Sequence, residues 1–377
     1  MPVTTLRFIV DPIVAPMPGA LGRYTGDLAR AVVATAPDGC AVEGIVSAVP
    51  GEDDERIMNA VPGLAELHRT ALPRRELAAA WQLGVPTAAA AGFVHAPSLL
   101  APLRKHDRGE GTQIVVTVHD LLPWTHPEAL SGTSVAWHKG MMKRARKHAD
   151  AVVVPTHALA EQLGMVADFG DRVRVIPTAP RAGLEPGDDA SRRREELGLP
   201  SDYLVVSGTL EPRKGVVDVL AALGRPDAPD LPLVVIGPES WGEQHLATAA
   251  DEAGVAPERV RHLDDPEPGL LAAVLAGATA FVAPSHDEGS GTSLIEAFSL
   301  GVPVIHSDIP AYAEVSAGAG LAVPDDDDFV DALLAAITAV VDGPALAERL
   351  VIAGHDRARA FSWTDSAERV WQLHADL

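Results

Sequence analysis

The sequence predicts an α/β protein built from two doubly wound, largely parallel sheets. Three observations lead there. Short Val/Ile-rich runs alternate with Ala/Leu-rich helical patterns along nearly the whole chain, the mark of repeated βα units. At 377 residues the chain exceeds what one ordinary core organises, so two domains are expected. A Pro/Gly/Asp-rich stretch near residues 178–190 splits the alternation into two series, residues 1–182 and 190–355. Ligands are expected in a cleft between the carboxyl ends of the two sheets.

In the first series the strand candidates are TLRFIVD, CAVEGIVSA, GFVHAP, QIVVTVHD, DAVVVPT and RVRVIPT. Helices are expected at GRYTGDLARAVVAT and SVAWHKGMMKRARKHA. The second series offers YLVVSG, LPLVVIG, VRHLD, TAFVAPS, GVPVIHSD and LAVP as strands. Its helices are GVVDVLAALG, PGLLAAVLAGA and TSLIEAFSLG. Hydrophobic residues make up 47% of the chain and aromatics only 4%, which suits Ala/Leu helices packed on buried sheets. A formal net charge of −22 argues against a nucleic-acid partner. The single cysteine, Cys40, rules out an intrachain disulfide and fits a reducing compartment. The opening apolar run is broken by Asp11, and the longest one, Leu270 to Pro284, is too short for a bilayer. A cytoplasmic location is expected.

Charge in odd places marks the candidate site. In SGTLEPRKGVVDVL a strand ends at Gly208 and a helix starts near Gly215. Arg213 and Lys214 therefore sit where a helix dipole disfavours cations, which makes sense if a pyrophosphate lies between them and the helix end. In SHDEGSGTSLIEAF, Glu288 and Glu296 flank Gly289, Ser290, Gly291, Thr292, Ser293 and Leu294. Glycines there allow backbone N–H groups to face a ligand, and the acids suit vicinal sugar hydroxyls. A plain capping box from Ser293 to Glu296 is the structural alternative, and it leaves Glu288 and the glycines without a role. Replacing Glu296 with Ala is expected to weaken donor binding with little loss of stability.

Further candidates lie in the first series. Gly19 and Ala20 open a helix after the first strand, a second phosphate contact or an ordinary turn. His119 and Asp120 end a β-branched strand, where open α/β sheets bind ligands, with a structural histidine as the alternative. Residues 137–149 carry a basic cluster with Met141 and Met142, read as a solvated helix face or a peripheral membrane contact. The run Asp325 to Asp328 lacks the spacing of a cation site and reads as a solvated turn. No metal ligands are assigned.

Together these segments resemble the retaining glycosyltransferases of family four, which have the GT-B architecture of two Rossmann-like domains. The similarity runs through GALGRYTGDLA, VHDLLPWTHPEAL, VVSGTLEPRKG and GATAFVAPSHDEGSGTSLIEAFSLGVPVIHSDIPAYAEV. It implies an acceptor-binding first domain, a nucleotide-sugar-binding second domain and a terminal helix, residues 356–377, that crosses back. It implies that Glu288 and the amides of Gly289 to Gly291 hold the donor sugar and that Glu296 binds the ribose diol. Arg213 and Lys214 would take the pyrophosphate, Gly19 and its neighbours would close on it, and His119 would touch the transferred sugar. No obligatory metal and no cofactor are implied. Ser290 stands where the family more often has an aromatic residue, which leaves the sugar preference open. The motifs HDLLPWTHPEAL and TLEPRKG look most like the mannosyl- and rhamnosyl-transferring branch, so GDP-mannose is the first expectation for the donor. The acceptor, whether saccharide, lipid-linked or small metabolite, is not spelled out. A nucleotide-sugar epimerase or hydrolase and a non-catalytic sugar-binding protein are the alternatives.

Overall fold

A computed structural model describes residues 4–87, 91–107, 109 and 111–377. It divides into two compact units, one running to Thr178 and taking in Ser362–Leu377, the other Ala179–Phe361. The division thus falls a few residues before the expected 182, and the tail joins the first unit at 362 rather than 356. Two arginines explain both shifts. Arg181 pairs with Glu296, and Arg357 donates to the carbonyls of Val315 and Glu314, so both belong to the second unit.

The first unit holds a seven-stranded sheet: β1 (Thr4–Ile9), β2 (Cys40–Val46), β3 (Leu67–Arg69), β4 (Phe93–Ala96), β5 (Gln113–Thr117), β6 (Ala151–Val154) and β7 (Val173–Val175). All pairings are parallel, in the order β3-β2-β1-β4-β5-β6-β7. Every residue of β5 and β6 is buried, which is why these strands read as unbroken apolar runs rather than alternating ones. β3 escapes sequence reading because three residues with one apolar side chain carry no periodicity. Helix Gly132–His148 starts where the Ser131 hydroxyl accepts the N–H of Ser134 at 3.2 Å, and it ends on three basic residues.

The terminal helix, Trp363–Asp376, buries Ala367, Val370 and Leu373 against the first unit. Ser366 donates to the Pro177 carbonyl at 2.8 Å, and the Trp371 indole donates to that of Val32 at 3.0 Å. Under this helix His374 and His95 meet at 3.3 Å, and His374 reaches Gln113 at 3.1 Å. Burial holds His95 well below its usual pKa, and the repulsion between two protonated rings would add to the effect. Burial likewise pushes His374 down to about 4. Both rings are neutral in the folded chain, whereas unfolded histidines protonate near 6.5. The stability they permit is present above that value and is lost as pH falls from about 6.5 towards 4. Thermal melts should show Tm falling over this range, and His374→Gln should flatten the fall. A Tm independent of pH down to 4 would contradict it.

The second unit holds β8 (Leu204–Ser207), β9 (Leu233–Ile236), β12 (Val260–Leu263), β13 (Ala280–Ala283), β14 (Val304–Ser307) and β15 (Leu321–Val323) in one parallel sheet. Its order is β12-β9-β8-β13-β14-β15. A small antiparallel hairpin, β10 (Ser240–Trp241) with β11 (Gln244–His245), lies apart from it. The strand order reverses direction at the β8/β13 pair. Open α/β sheets place ligands at the carboxyl side of such a switch.

Candidate active site

β8 and β13 run level, with Val206 opposite Val282, and each leads into a charged loop. After β8, Gly208 gives its N–H to the Ile236 carbonyl at 2.9 Å. Pro212–Lys214 then form one 3-10 turn, and helix Val216–Leu223 starts beyond Gly215. Gly215 is left-handed at φ 64°, and a Cβ on it would strike the carbonyl oxygen of Pro284. Only glycine satisfies both demands, so the turn can lie directly against the end of β13. The N–H of His286 adds a 2.8 Å hydrogen bond to the Arg213 carbonyl.

Arg213 and Lys214 do sit just ahead of a helix, and both have partners. Arg213 donates Nε to Glu211 at 2.7 Å and Nη1 to the Asp287 carbonyl at 3.2 Å. Lys214 pairs with Glu288. Burial works against the charged form of Glu288. The charge and hydrogen bond of Lys214, helped by Arg213, outweigh it and hold the carboxyl below its usual pKa. The two groups expected to meet the phosphate and the sugar are therefore neighbours.

The glycine loop follows. Gly289 is buried, Ser290 and Thr292 share a hydrogen bond at 3.0 Å, and Gly291 takes φ 60° as the cap of helix Thr292–Ser299. That placement corrects the capping-box alternative, since Ser293 is already the second helical residue and no side chain caps this helix. Leu294 is corrected too. Its side chain is fully buried and its N–H is taken by the Gly291 carbonyl at 3.0 Å, so it supports the loop from below. Glu296 turns to Arg181 instead, which grips it with two bonds, Nε–Oε1 at 2.7 Å and Nη2–Oε2 at 3.0 Å. Beneath the loop lies Tyr312, fully buried, with Ser285 and Ser293 beside it. Burial, with the nearby charge of Glu288, drives its pKa far up, so it stays a neutral phenol.

In the first unit Gly19 takes φ 51° and, with Ala20, is exposed at the start of helix Gly19–Ala34. His119 donates Nε2–H to the Pro97 carbonyl at 2.7 Å and meets the ring of Tyr24 edge-on at 4.5 Å. Burial lowers its pKa, against the Pro97 bond and the charge of Asp120, so the imidazole is neutral. Asp120 is exposed and accepts the N–H of Leu122 at 3.1 Å. The basic helix also needs correction, because Met141 and Met142 point into the core and only its basic face is open. In the acidic run, Asp327 and Asp328 are solvated as expected, while Asp325 binds His286. Glu43 on β2, His68 on β3 and Glu66 just before β3 cluster within ligand distance of one another, and Arg7 already occupies Glu43 at 3.1 Å.

Residues 21–179 match the family model described as Glycosyltransferase Family 4, and residues 188–357 match Glycosyl transferases group 1. The chain belongs to the family-four GT-B glycosyltransferases. This glycosyltransferase is 26% identical over 380 residues to O-antigen chain mannosyltransferase B of Escherichia coli, covering 94% of this chain and 95% of that one. In fold it is similar to sucrose-phosphate synthase from Thermosynechococcus elongatus, with TM-score 0.74 and 22% identity over 99% and 98% of the two chains. It is similar also to Anabaena HepE in complex with UDP-glucose, with TM-score 0.70 and 18% identity over 99% and 100%. No single helix among its described residues is long and apolar enough to cross a membrane.

The sequence reading of the glycosyltransferase missed Arg181, Glu211, His286 and Tyr312. Glu211, His286 and Tyr312 stood inside quoted motifs, and an acid next to two cations was a usable signal for the first. Arg181 carried none, because it lies 115 positions from Glu296 in a segment read as linker.

Proposed function

We propose that the chain transfers a hexose, with retention of the anomeric configuration, from a nucleoside diphosphate sugar to an acceptor hydroxyl. GDP-mannose is the preferred donor. The observation that carries this reading is the pairing of two charged loops at the β8/β13 switch, Arg213–Lys214 on one and Glu288 to Gly291 on the other. Breaking a glycosyl phosphate bond builds negative charge on the departing diphosphate. Arg213 and Lys214 are placed to receive it, and Lys214 exchanges its bond to Glu288 for one to phosphate. Glu288, ionised at neutral pH, then accepts hydrogen bonds from the sugar hydroxyls. Glu296, oriented by Arg181, takes the ribose diol. Attack on the face the diphosphate leaves accounts for retention, with a phosphate oxygen accepting the acceptor's proton. The mannosyltransferase similarity supports the choice of sugar. The single Cys40 is consistent with work in a reducing compartment.

Charge stabilisation in this reading falls to side chains, so full turnover in EDTA is expected. A thermal-shift series with GDP, UDP, dTDP and ADP sugars tests the donor. A specific binder at a hundredfold excess over its Kd stabilises by about 2.7 kcal/mol, which raises Tm by several degrees. No shift with any nucleotide would end the reading. For the peripheral membrane contact we propose an electrostatic one through the exposed Lys143, Arg146 and Lys147, since the apolar side of their helix is buried. Sedimentation with anionic vesicles that persists in high salt would contradict that.

A further inference from the structure

We propose that His286 is a positioning residue for transfer, clamping the cation turn and the acid loop together at the switch of the second sheet. The inference rests on the donor site proposed above. His286 stands two residues before Glu288, and separate segments converge on it. Its Nε2 lies 3.0 Å from Asp218, in the first turn of helix Val216–Leu223. Its Nδ1 lies 2.5 Å from Asp325, in the turn after β15. Its backbone N–H holds the Arg213 carbonyl. The ring edge rests on Phe329 of helix Phe329–Val341, with centroids 5.0 Å apart.

A carboxylate at each ring nitrogen calls for a donor at both, and only the imidazolium supplies two. The Asp218 hydrogen bond leads, ahead of opposing burial and of Asp325, and lifts the pKa to about 9. The charged groups around the ring are thus Asp218 from the helix and Asp325 from the turn. Phe329 brings no charge; Arg213 and Lys214 lie on the turn, and Asp287 and Glu288 follow His286 on its own loop. Loss of the ring's proton leaves two aspartates sharing one donor. The turn that carries Lys214 then loses its tie to β15. Placement matters here, because transition-state contacts weaken steeply with displacement on the order of 1 Å.

The test uses the full chain as wild type, His286→Gln and Asp325→Asn. Calorimetry gives the affinity for GDP, UDP, dTDP and ADP between pH 7 and 10, and nucleoside diphosphate release from GDP-mannose, with water taking the sugar, gives KM and kcat. At pH 7 we expect His286→Gln to weaken nucleotide affinity about tenfold and to lower kcat further. Wild-type affinity should fall as pH rises through about 9, because the ring then loses one of its two N–H donors and with it one of the two carboxylate bonds that position the turn of Lys214. Asp325→Asn keeps the ring and should move that midpoint down, and His286→Gln should leave only the fall that ionisation of the nucleobase itself produces. A His286→Gln protein with wild-type affinity, kinetics and pH profile overturns the clamp while leaving the donor site standing. An unshifted midpoint in Asp325→Asn overturns it as well, even if His286→Gln fails to fold. Wild type that binds none of GDP, UDP, dTDP and ADP removes the donor reading and this inference with it.

Discussion

Replacing Lys214 with Ala should lower turnover by roughly 10²- to 10³-fold at saturating donor, the loss found when one contact to a developing oxyanion is removed. The ammonium lies beside Glu288, one residue from Arg213, in a turn held against β13 by the Gly215 contact. Removing it deletes charge where the diphosphate leaves and strips Glu288 of its partner. The second effect is the smaller one. The pair is largely buried, with side chains 19% and 21% exposed, and Arg213 stays beside Glu288. The loss of stability therefore falls between the roughly 1 kcal/mol of an exposed pair and the roughly 3–5 kcal/mol of a fully buried one. The variant should melt several degrees below the parent while losing nearly all activity. Measured as nucleoside diphosphate release, a loss of only a few-fold would detach Lys214 from the phosphate. Glu288→Gln separates the roles, because it removes the charge that holds Lys214 and leaves one amide oxygen to accept sugar hydroxyls where the carboxylate offered two, so KM should rise more than kcat falls.

Arg181→Ala should be the most destabilising single change in the second unit's site. Arg181 and Glu296 are 16% and 6% exposed, and truncating one partner of a buried pair leaves the other charge unmet at about 3–5 kcal/mol. At roughly 2–4 °C per kcal/mol for a unit of this size, Tm should drop by roughly 6–20 °C. The same geometry revises the expectation for Glu296→Ala, which now strands a buried guanidinium and should lower Tm as well as donor affinity. Glu296→Gln keeps a hydrogen-bond acceptor for Arg181 and should melt closer to the parent, with its main loss in donor binding. If Arg181→Ala melts with the wild type, the bidentate pair is not a structural element of the unit.

Much of the site was legible because it is local. Strand ends, the glycines and the Arg213–Lys214 and Glu288–Glu296 spacings all lie within short windows, and buried parallel strands announce themselves as apolar runs. Helix starts were read less well. The start near Gly215 was close, whereas Ser293 looked like a cap and is displaced by Gly291, whose left-handed φ lets the chain turn two residues earlier.

What the sequence by itself determined is the two-sheet α/β plan, the family and the pair of charged loops, since periodicity and motif spacing are properties of neighbours along the chain. Only the tertiary structure decided which charges meet. Arg181 finds Glu296 across 115 positions, Lys214 finds Glu288 across 74, and His286 joins Asp218 to Asp325. Parallel strands bring distant loops to one edge of a sheet, and Coulomb attraction in a partly desolvated site then selects partners that no local pattern records.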